Sequence, residues 1–169
     1  SLVGSEMCIR DRLQPNSPRE DWVSFFRDQR LLAMAAQADA AGRIPAVLLE
    51  RITALAASLA SLIPARPHCS LLHGDVWGGN VLAERDRITA LLDPAVYYGD
   101  AEVELAFINL FSTFGDGFFA RYTRLRGIEP EFWRTRRHVY NTYPLLVHVT
   151  MYGGGYVGQL DETLRSVGF

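Results

Sequence analysis

The stretch SLLHGDVWGGNVL, residues 70–82, constrains this chain more than any other part of its sequence. Its first apolar pair leads into the tripeptide His-Gly-Asp ending at Asp75, and Asn80 follows after a gap of four residues. A later apolar run ends in Asp93 and a proline. Short apolar runs bounded by polar, glycine and proline residues predict strands, here at Ser70–His73, Val81–Ala83 and Ile88–Leu92. Asp75, Asn80 and Asp93 are therefore expected at strand ends.

This spacing predicts the catalytic and metal-binding half of a kinase-type phosphotransferase site. Asp75 is the candidate base that accepts a proton from the acceptor hydroxyl. Asn80 and Asp93 offer a neutral and an anionic oxygen ligand to Mg²⁺. His73 is expected to brace the loop by hydrogen-bonding the backbone near Asp93, with simple packing of a lone histidine as the alternative.

Other catalytic motifs are weaker or absent from the sequence. It contains no G-x-S-x-G elbow and no Walker loop, and its histidines have no cysteines at zinc-binding spacing. The glycines of residues 153–155 follow a predicted helix rather than a strand, so they predict a helix break. Arg134, Arg136 and Arg137 either bind phosphate or form a solvated helix face.

Composition favours a single globular domain with a reducing, cytoplasmic location. The net charge of −2 gives no basic footprint, so nucleic acid is not an expected partner. No apolar run approaches the roughly 20 residues of a membrane span, and no secretory signal is evident. The two cysteines, Cys8 and Cys69, predict neither a disulfide framework nor a metal cluster.

The absence of lysine is the most informative feature of the composition. All 17 basic residues are arginine. Kinase-type sites use a lysine on an N-terminal β-sheet to hold the ATP phosphates. Either the site differs from that pattern, or the chain is a piece of a longer protein.

The remaining pattern predicts an α-rich chain with little β structure. Residues 1–18 show no sustained period, and we expect residues 1 to about 12 to be a cloning or sequence-assembly scar, or else a floppy terminus. Apolar spacing and breaker residues predict helices at 19–42, 46–62, 102–111, 118–125, 131–152 and 156–167. Pro144 is expected to kink or end the fifth of these, and residues 94–100 are expected to form a loop.

Three segments together resemble the fructosamine kinase (ketosamine-3-kinase) family. They are LLHGDVWGGNVL, LLDPAVYYGDAEVELA and MYGGGYVGQ, in that order, and DWVSFFRDQRLL resembles the family's helix after the hinge between lobes. The resemblance covers Asp21 to Phe169. The His-Gly-Asp element alone also fits aminoglycoside phosphotransferases and choline kinases. The stretches DPAVYYG and GGGY are what favour the fructosamine kinase family over those two.

The resemblance implies an α+β, mostly α fold: the C-terminal lobe of a protein-kinase-like fold, with a small β-hairpin insertion carrying the catalytic loop. It implies ATP and Mg²⁺, and phosphorylation of the sugar 3-hydroxyl of fructosamines on glycated amines or glycated proteins, a deglycation repair. By position, Asp75 resembles the base and Asn80 and Asp93 the metal and cofactor ligands. Glu104 stands where relatives often have an aspartate that braces the catalytic loop.

The resemblance implies that Trp77, Tyr98 and His148 fall at motif positions that face the acceptor, and core packing is an equal or better alternative for each. The family's N-terminal lobe has no counterpart here, so residues 1–18 are interpreted as disordered or non-native and residues 19–169 as the C-terminal lobe. The chain itself is then an inactive fragment of an active parent. A small-molecule kinase of the aminoglycoside or choline type, and a non-catalytic lobe, are the alternatives.

Overall fold

A computed structural model describes residues 15–17 and 19–169, and the expected scar at residues 1 to about 12 lies outside them. The described chain is mostly helical, with two small antiparallel sheets. The helices are α1 (Trp22–Phe26), α2 (Leu32–Ala40), α3 (Ala46–Leu62), α4 (Ala101–Leu110), α5 (Asp116–Arg126), α6 (Arg137–Tyr152) and α7 (Gly155–Ser166). The strands are β1 (Cys69–Leu72), β2 (Val81–Glu84), β3 (Arg87–Leu91) and β4 (Tyr97–Asp100).

Helix α3 forms as the apolar spacing predicts. Leu48, Ile52, Leu55 and Leu59 recur at steps of four and three, and all four are buried. A stripe with that spacing covers one face of an α-helix, so the opposite face remains exposed. The prediction of a helix over residues 46–62 is confirmed to the residue.

The first predicted helix is less regular than its pattern suggests. A π-helical turn, Arg27–Leu31, separates α1 from α2, and Gly42 ends the segment with a φ of 63°. Because a π turn holds more residues than an α turn, it shifts the faces of the helix on either side of it. Gln29 and Arg30 are consequently buried despite their polarity.

The prediction of a loop over residues 94–100 is wrong for residues 97–100. Tyr97–Asp100 forms β4 and pairs antiparallel with β1, from Cys69 opposite Asp100 to Leu72 opposite Tyr97. The β2–β3 hairpin forms a separate sheet, with a register irregularity at Leu82 and Ala83. The structure therefore has two sheets, and the segment with the polar motif runs from one sheet to the other.

Helix α6 is the centre of the core. It packs against α2, α4 and α7, and an unbroken run of buried residues extends from Val139 to Val147. Pro144 lies inside α6 and does not end it, so of the two expectations the boundary is wrong and the kink stays a prediction. Glycines 153 and 154, with φ values of 63° and 55°, separate α6 from α7 as the sequence predicted.

A buried polar network joins three separate elements beneath the sheets. Asp100 caps α4 by accepting a hydrogen bond from the backbone N–H of Glu102 at 3.0 Å. The Tyr140 hydroxyl donates to Asp100 Oδ2 at 2.7 Å and accepts from Trp22 Nε1 at 3.2 Å. Burial, and then the charge of Asp100, raise the pKa of the Tyr140 hydroxyl far above its usual range. Tyr140 therefore remains a hydrogen-bond donor at any ordinary pH.

Within the described residues, no helix combines the length and apolar character needed to cross a membrane.

Candidate active site

The segment between β1 and β2 brings Asp75 and Asn80 together. Asp75 is 2% exposed and Asn80 is 4% exposed. The Asn80 side-chain Nδ2 donates to the Asp75 backbone oxygen at 2.9 Å and to Asp75 Oδ2 at 3.1 Å. A single-turn 3₁₀ helix, Gly78–Asn80, closes the loop that makes this contact. The four-residue gap in the sequence is thus the spacing that lets the amide fix the carboxylate.

Glu104, in the first turns of α4, holds the backbone on the other side of Asp75. Its Oε1 accepts from the Gly74 N–H at 2.7 Å, and its Oε2 lies 3.4 Å from the His73 nitrogen. Charge-assisted hydrogen bonds of this kind are among the stronger ones in proteins. The glutamate thus contacts the backbone of this loop from α4, and its bracing role stays a prediction.

The His73 side chain lies in the loop but does not make the contact expected of it. Its Nδ1 accepts from the Asp75 N–H at 3.3 Å, whereas its Nε2 is buried without a hydrogen-bond partner in the described part of the chain. The link to the segment after Asp93 runs through the backbone instead, where the His73 oxygen accepts from the Ala95 N–H at 2.8 Å. The bracing role of His73 stays a prediction.

Asp93 lies beside the loop and is exposed. Its φ of 48° falls in the left-handed region, which is uncommon for a residue other than glycine. The preceding residue, Leu92, donates its N–H to the Asn80 backbone oxygen at 2.8 Å, so the backbones leading to the two side chains are joined. Left-handed strain at a polar residue is a feature of functional sites.

The donor set fits a hard divalent cation. Because both contacts to Asp75 come from the Asn80 Nδ2, the amide oxygen Oδ1 is turned toward the other side and can ligate a metal. Amide and carboxylate oxygens are the ligands that Mg²⁺ prefers. Among the described residues there is no group of three or more histidine, cysteine, aspartate and glutamate side chains that could hold a metal alone. Phosphate oxygens would have to complete the coordination at Asn80 and Asp93.

Gly74 is the tightest point of the loop and provides a stability test. Its φ is 81°, and a Cβ there would lie 2.3 Å from the Ala95 backbone oxygen. We expect Gly74→Ala to destabilise the chain by about 2 kcal/mol or more, through left-handed strain and a clash with backbone. Gly78→Ala is the matched control, because nothing lies within 4 Å of its Cβ position, and it should change stability by less than about 0.5 kcal/mol. Equal midpoints in urea denaturation for the two variants would contradict this account of the loop.

The three candidate acceptor residues have different surroundings. The Trp77 ring is half-buried, packs over Gly79 and has a buried Nε1 with no hydrogen-bond partner in the described residues. Tyr98 is 68% exposed, so core packing is ruled out for it. His148 is half-buried, its Nδ1 lies 2.7 Å from the Pro144 oxygen, and its ring lies 4.8 Å from that of Tyr156.

Sequence reasoning missed an arginine that lies behind the loop. Arg30 is 1% exposed, and its guanidinium lies 4.3 Å from the centre of the Tyr97 ring. It also donates to the Pro15 oxygen at 2.7 Å. On the other side lies Tyr143, whose pKa is raised by burial and whose hydroxyl has no partner in the described residues. The π turn that buries Arg30 leaves no signal in apolar spacing.

The described fold is mostly helical, and in it a buried aspartate contacts an asparagine and lies next to a backbone that Glu104 binds from α4. Comparison with known sequences specifies the class. A sequence model of the fructosamine kinase family matches residues 4–167. A probable ketoamine kinase of Synechocystis is 36% identical over 155 residues, 90% of this chain and 50% of its own length. The ketosamine-3-kinase of Mus musculus is 32% identical, covering 91% of this chain and 49% of its own.

Solved structures give the same result. A crystal structure from Thermobifida fusca, assigned to the fructosamine-3-kinases, superposes with a TM-score of 0.81 at 29% identity, over 91% of this chain and 53% of that one. The chain therefore belongs to the fructosamine kinase family. It spans about half the length of the curated relatives it matches.

Proposed function

We propose that the full-length protein to which this chain belongs transfers the γ-phosphoryl group of ATP to the sugar 3-hydroxyl of fructosamines. In this proposal residues 19–169 form the C-terminal lobe of a protein-kinase-like fold, and the two small sheets frame its catalytic loop. The observation that carries it is the buried Asp75 carboxylate, held by Asn80 and by a backbone that Glu104 braces. The setting is a cytoplasmic deglycation repair of glycated amines or glycated proteins.

Asp75 acts as the base in this reaction. The acceptor oxygen bonds to the γ-phosphorus, the bond from that phosphorus to the bridging oxygen of ADP breaks, and the hydroxyl proton passes to the Asp75 carboxylate. The protein mainly contributes position, because phosphoryl transfer asks little covalent chemistry of it. The Asn80 and Glu104 contacts fix the carboxylate before the substrate arrives.

Asn80 and Asp93 would hold Mg²⁺ together with the nucleotide phosphates. The cation would neutralise phosphate charge when bound. Asn80 can serve because its Nδ2 is committed to Asp75, so its oxygen is the atom presented. Asp93 serves from an exposed turn, where it can meet a bound nucleotide.

The acceptor would lie against Trp77, His148 and Tyr98. Trp77 lies in the catalytic loop itself, two residues from Asp75. His148 contacts Phe111 at a ring distance of 5.1 Å, and α4 ends next to that phenylalanine. Aromatic faces and a histidine suit the apolar faces and hydroxyls of a sugar.

The chain as it stands is proposed to be inactive. It contains no lysine to hold the ATP phosphates, and half of the phosphate clamp of such enzymes lies in the other lobe. Activity should return in a fusion protein that joins the N-terminal half of the Synechocystis relative to residues 19–169 of this chain. We call this protein the fusion. The chain is then a non-catalytic lobe, and its full-length parent is the enzyme.

A phosphorylation assay with ATP and Mg²⁺ tests the proposal. We expect no turnover with the chain alone, and turnover of fructosyl-lysine or ribulosyl-lysine by the fusion. Aminoglycosides and choline should not be phosphorylated. The N-terminal half alone is the control for background activity. A fusion that phosphorylates kanamycin or choline but neither ketosamine would replace this proposal by the small-molecule alternative, and turnover by the chain alone would remove the fragment reading.

A further inference from the structure

A second groove, of about 420 Å³, lies between the end of α4, the first half of α6 and the second half of α7. This volume is within the range of small-ligand pockets. Unlike the core around it, the groove is lined mainly by polar side chains: Asn109, Arg137, His138, Asn141, Gln159 and Glu162. The proposed chemistry at Asp75 uses none of them.

Asn141 lines the groove and carries an unmet hydrogen-bond acceptor. The residue is 6% exposed, and its side-chain Oδ1 is buried with no partner in the described part of the chain. A buried amide oxygen without a donor is costly, and such exceptions in proteins require an explanation. An N–H group from a ligand in the groove would satisfy it.

Arg137 gives the groove a cation that no described carboxylate neutralises. Its Nη1 donates to Asn109 Oδ1 at 3.3 Å and its Nε to His138 Nε2 at 3.2 Å, both neutral partners. Its neighbour Arg136 differs, because it forms a two-point contact with Glu102 at 2.5 and 2.7 Å. Burial, and then the charge of Arg137, lower the pKa of His138, so that side chain adds no second positive charge near neutral pH.

Glu162 supplies the opposite charge from α7. One wall therefore offers a guanidinium, which suits a carboxylate. The other surfaces offer a carboxylate and an amide oxygen, which suit an ammonium group. A cation, an anion and an acceptor in one small groove match the charge pattern of a free α-amino acid.

The groove also lies within reach of the proposed acceptor site. Gln159 lines both this groove and a smaller one, of about 250 Å³, that residues 152–156 also line. His148 contacts Tyr156, a residue of that smaller groove. Asn141 and His148 are seven residues apart on α6, or about 10 Å at the rise of an α-helix. An extended lysine side chain that carries a sugar can bridge that gap.

We infer that this groove binds the α-amino and α-carboxylate groups of a free glycated amino acid whose sugar lies beside His148. The inference rests on the proposed function and narrows its substrate class to free fructosyl- or ribulosyl-lysine, in preference to the same adduct within a protein. Arg137 binds the carboxylate, and Asn141 with Glu162 binds the ammonium group.

Calorimetric titration of the chain tests this directly. The probes are Nε-fructosyl-lysine and its Nα-acetyl, C-terminal amide derivative, which keeps the sugar and removes both end charges. We expect the charged ligand to bind at least about tenfold more tightly, as the loss of a charge-assisted contact would predict. Equal affinities on the unaltered chain would overturn the inference without any mutation.

Two variants locate the effect. Arg137→Gln should remove most of the preference for the charged ligand. Arg134→Gln, on an arginine whose side chain is 74% exposed, should retain it and controls for the loss of one positive charge. Circular dichroism confirms that both variants are folded, and an undiminished preference in a folded Arg137→Gln variant would contradict the assignment.

Failure of the proposed function can be distinguished from failure of the groove inference. If the fusion phosphorylates no ketosamine while the chain still prefers the charged ligand, the groove is retained and the reaction is wrong. If the fusion phosphorylates both ligands with equal kcat/KM and the chain binds both equally, the reaction is retained and the groove inference is overturned.

Discussion

Asp75→Asn should lower kcat of the fusion for fructosyl-lysine by roughly 10²- to 10⁴-fold, the usual contribution of a positioned base. The substitution replaces a carboxylate that can take a proton with an amide that cannot. Its shape is conserved, and the Asn80 Nδ2 can still donate to an oxygen at the same place. Binding of ATP should change little, because Asp75 is not assigned to the metal or the phosphates. Steady-state kinetics with fructosyl-lysine and ATP varied separately measures both effects.

Asp86→Asn is the matched control for this experiment. Asp86 lies in the exposed turn between β2 and β3, so the same chemical change there removes a charge without touching the loop. Its kcat should stay within about twofold of the unaltered fusion, since exposed substitutions away from such features have small effects. An Asp75→Asn fusion that is folded and retains more than a tenth of the activity would show that another group takes the proton.

The local part of the site was predictable from the sequence, because it depends on neighbours along the chain. Asp75 and Asn80 are close in sequence, and only a tight loop satisfies both flanking strands. The contact from Glu104 spans 30 residues. No period or spacing indicates such a contact, and only the family resemblance pointed to it.

The same difference between local and long-range contacts applies to the fold. Helix α3 has a strong apolar period over 17 residues, so its bounds were predicted to the residue. Strand β4 lies in a segment that the sequence predicts as a loop, so its pairing with β1 is a correction. Its partner, β1, begins at Cys69, opposite Asp100. Sequence-distant pairing of this kind is decided by packing rather than by local propensity.

Exposure was harder to predict than secondary structure. Tyr98 is exposed while Arg30 is buried, the reverse of their average tendencies. The same holds for Arg136 and Arg137, which a helical pattern places together as one basic face. The structure distinguishes them: Arg136 is paired with Glu102, whereas Arg137 lines a groove.

Asp100→Ala should lower the free energy of unfolding of the chain by about 3 kcal/mol, the sum of a lost helix cap and an unsatisfied buried hydroxyl. Asp100 is 5% exposed and meets both the Glu102 N–H and the Tyr140 hydroxyl. Its removal therefore uncaps α4 and leaves Tyr140 without its acceptor. Urea denaturation followed by circular dichroism measures the change. Asp116→Ala, on an exposed aspartate in the first turn of α5, should cost less than about 0.5 kcal/mol.

Tyr140→Phe separates the two contributions of Asp100. This variant keeps the cap on α4 but removes the hydroxyl that links Asp100 to Trp22. Because the two side chains are in contact, the double variant should cost less than the sum of the single variants, with a coupling of about 1 kcal/mol or more. Strict additivity would mean that the cap alone accounts for the effect and that the hydrogen bond between Tyr140 and Asp100 adds nothing. Coupling would instead show that α4 and α6 are joined through this one buried carboxylate.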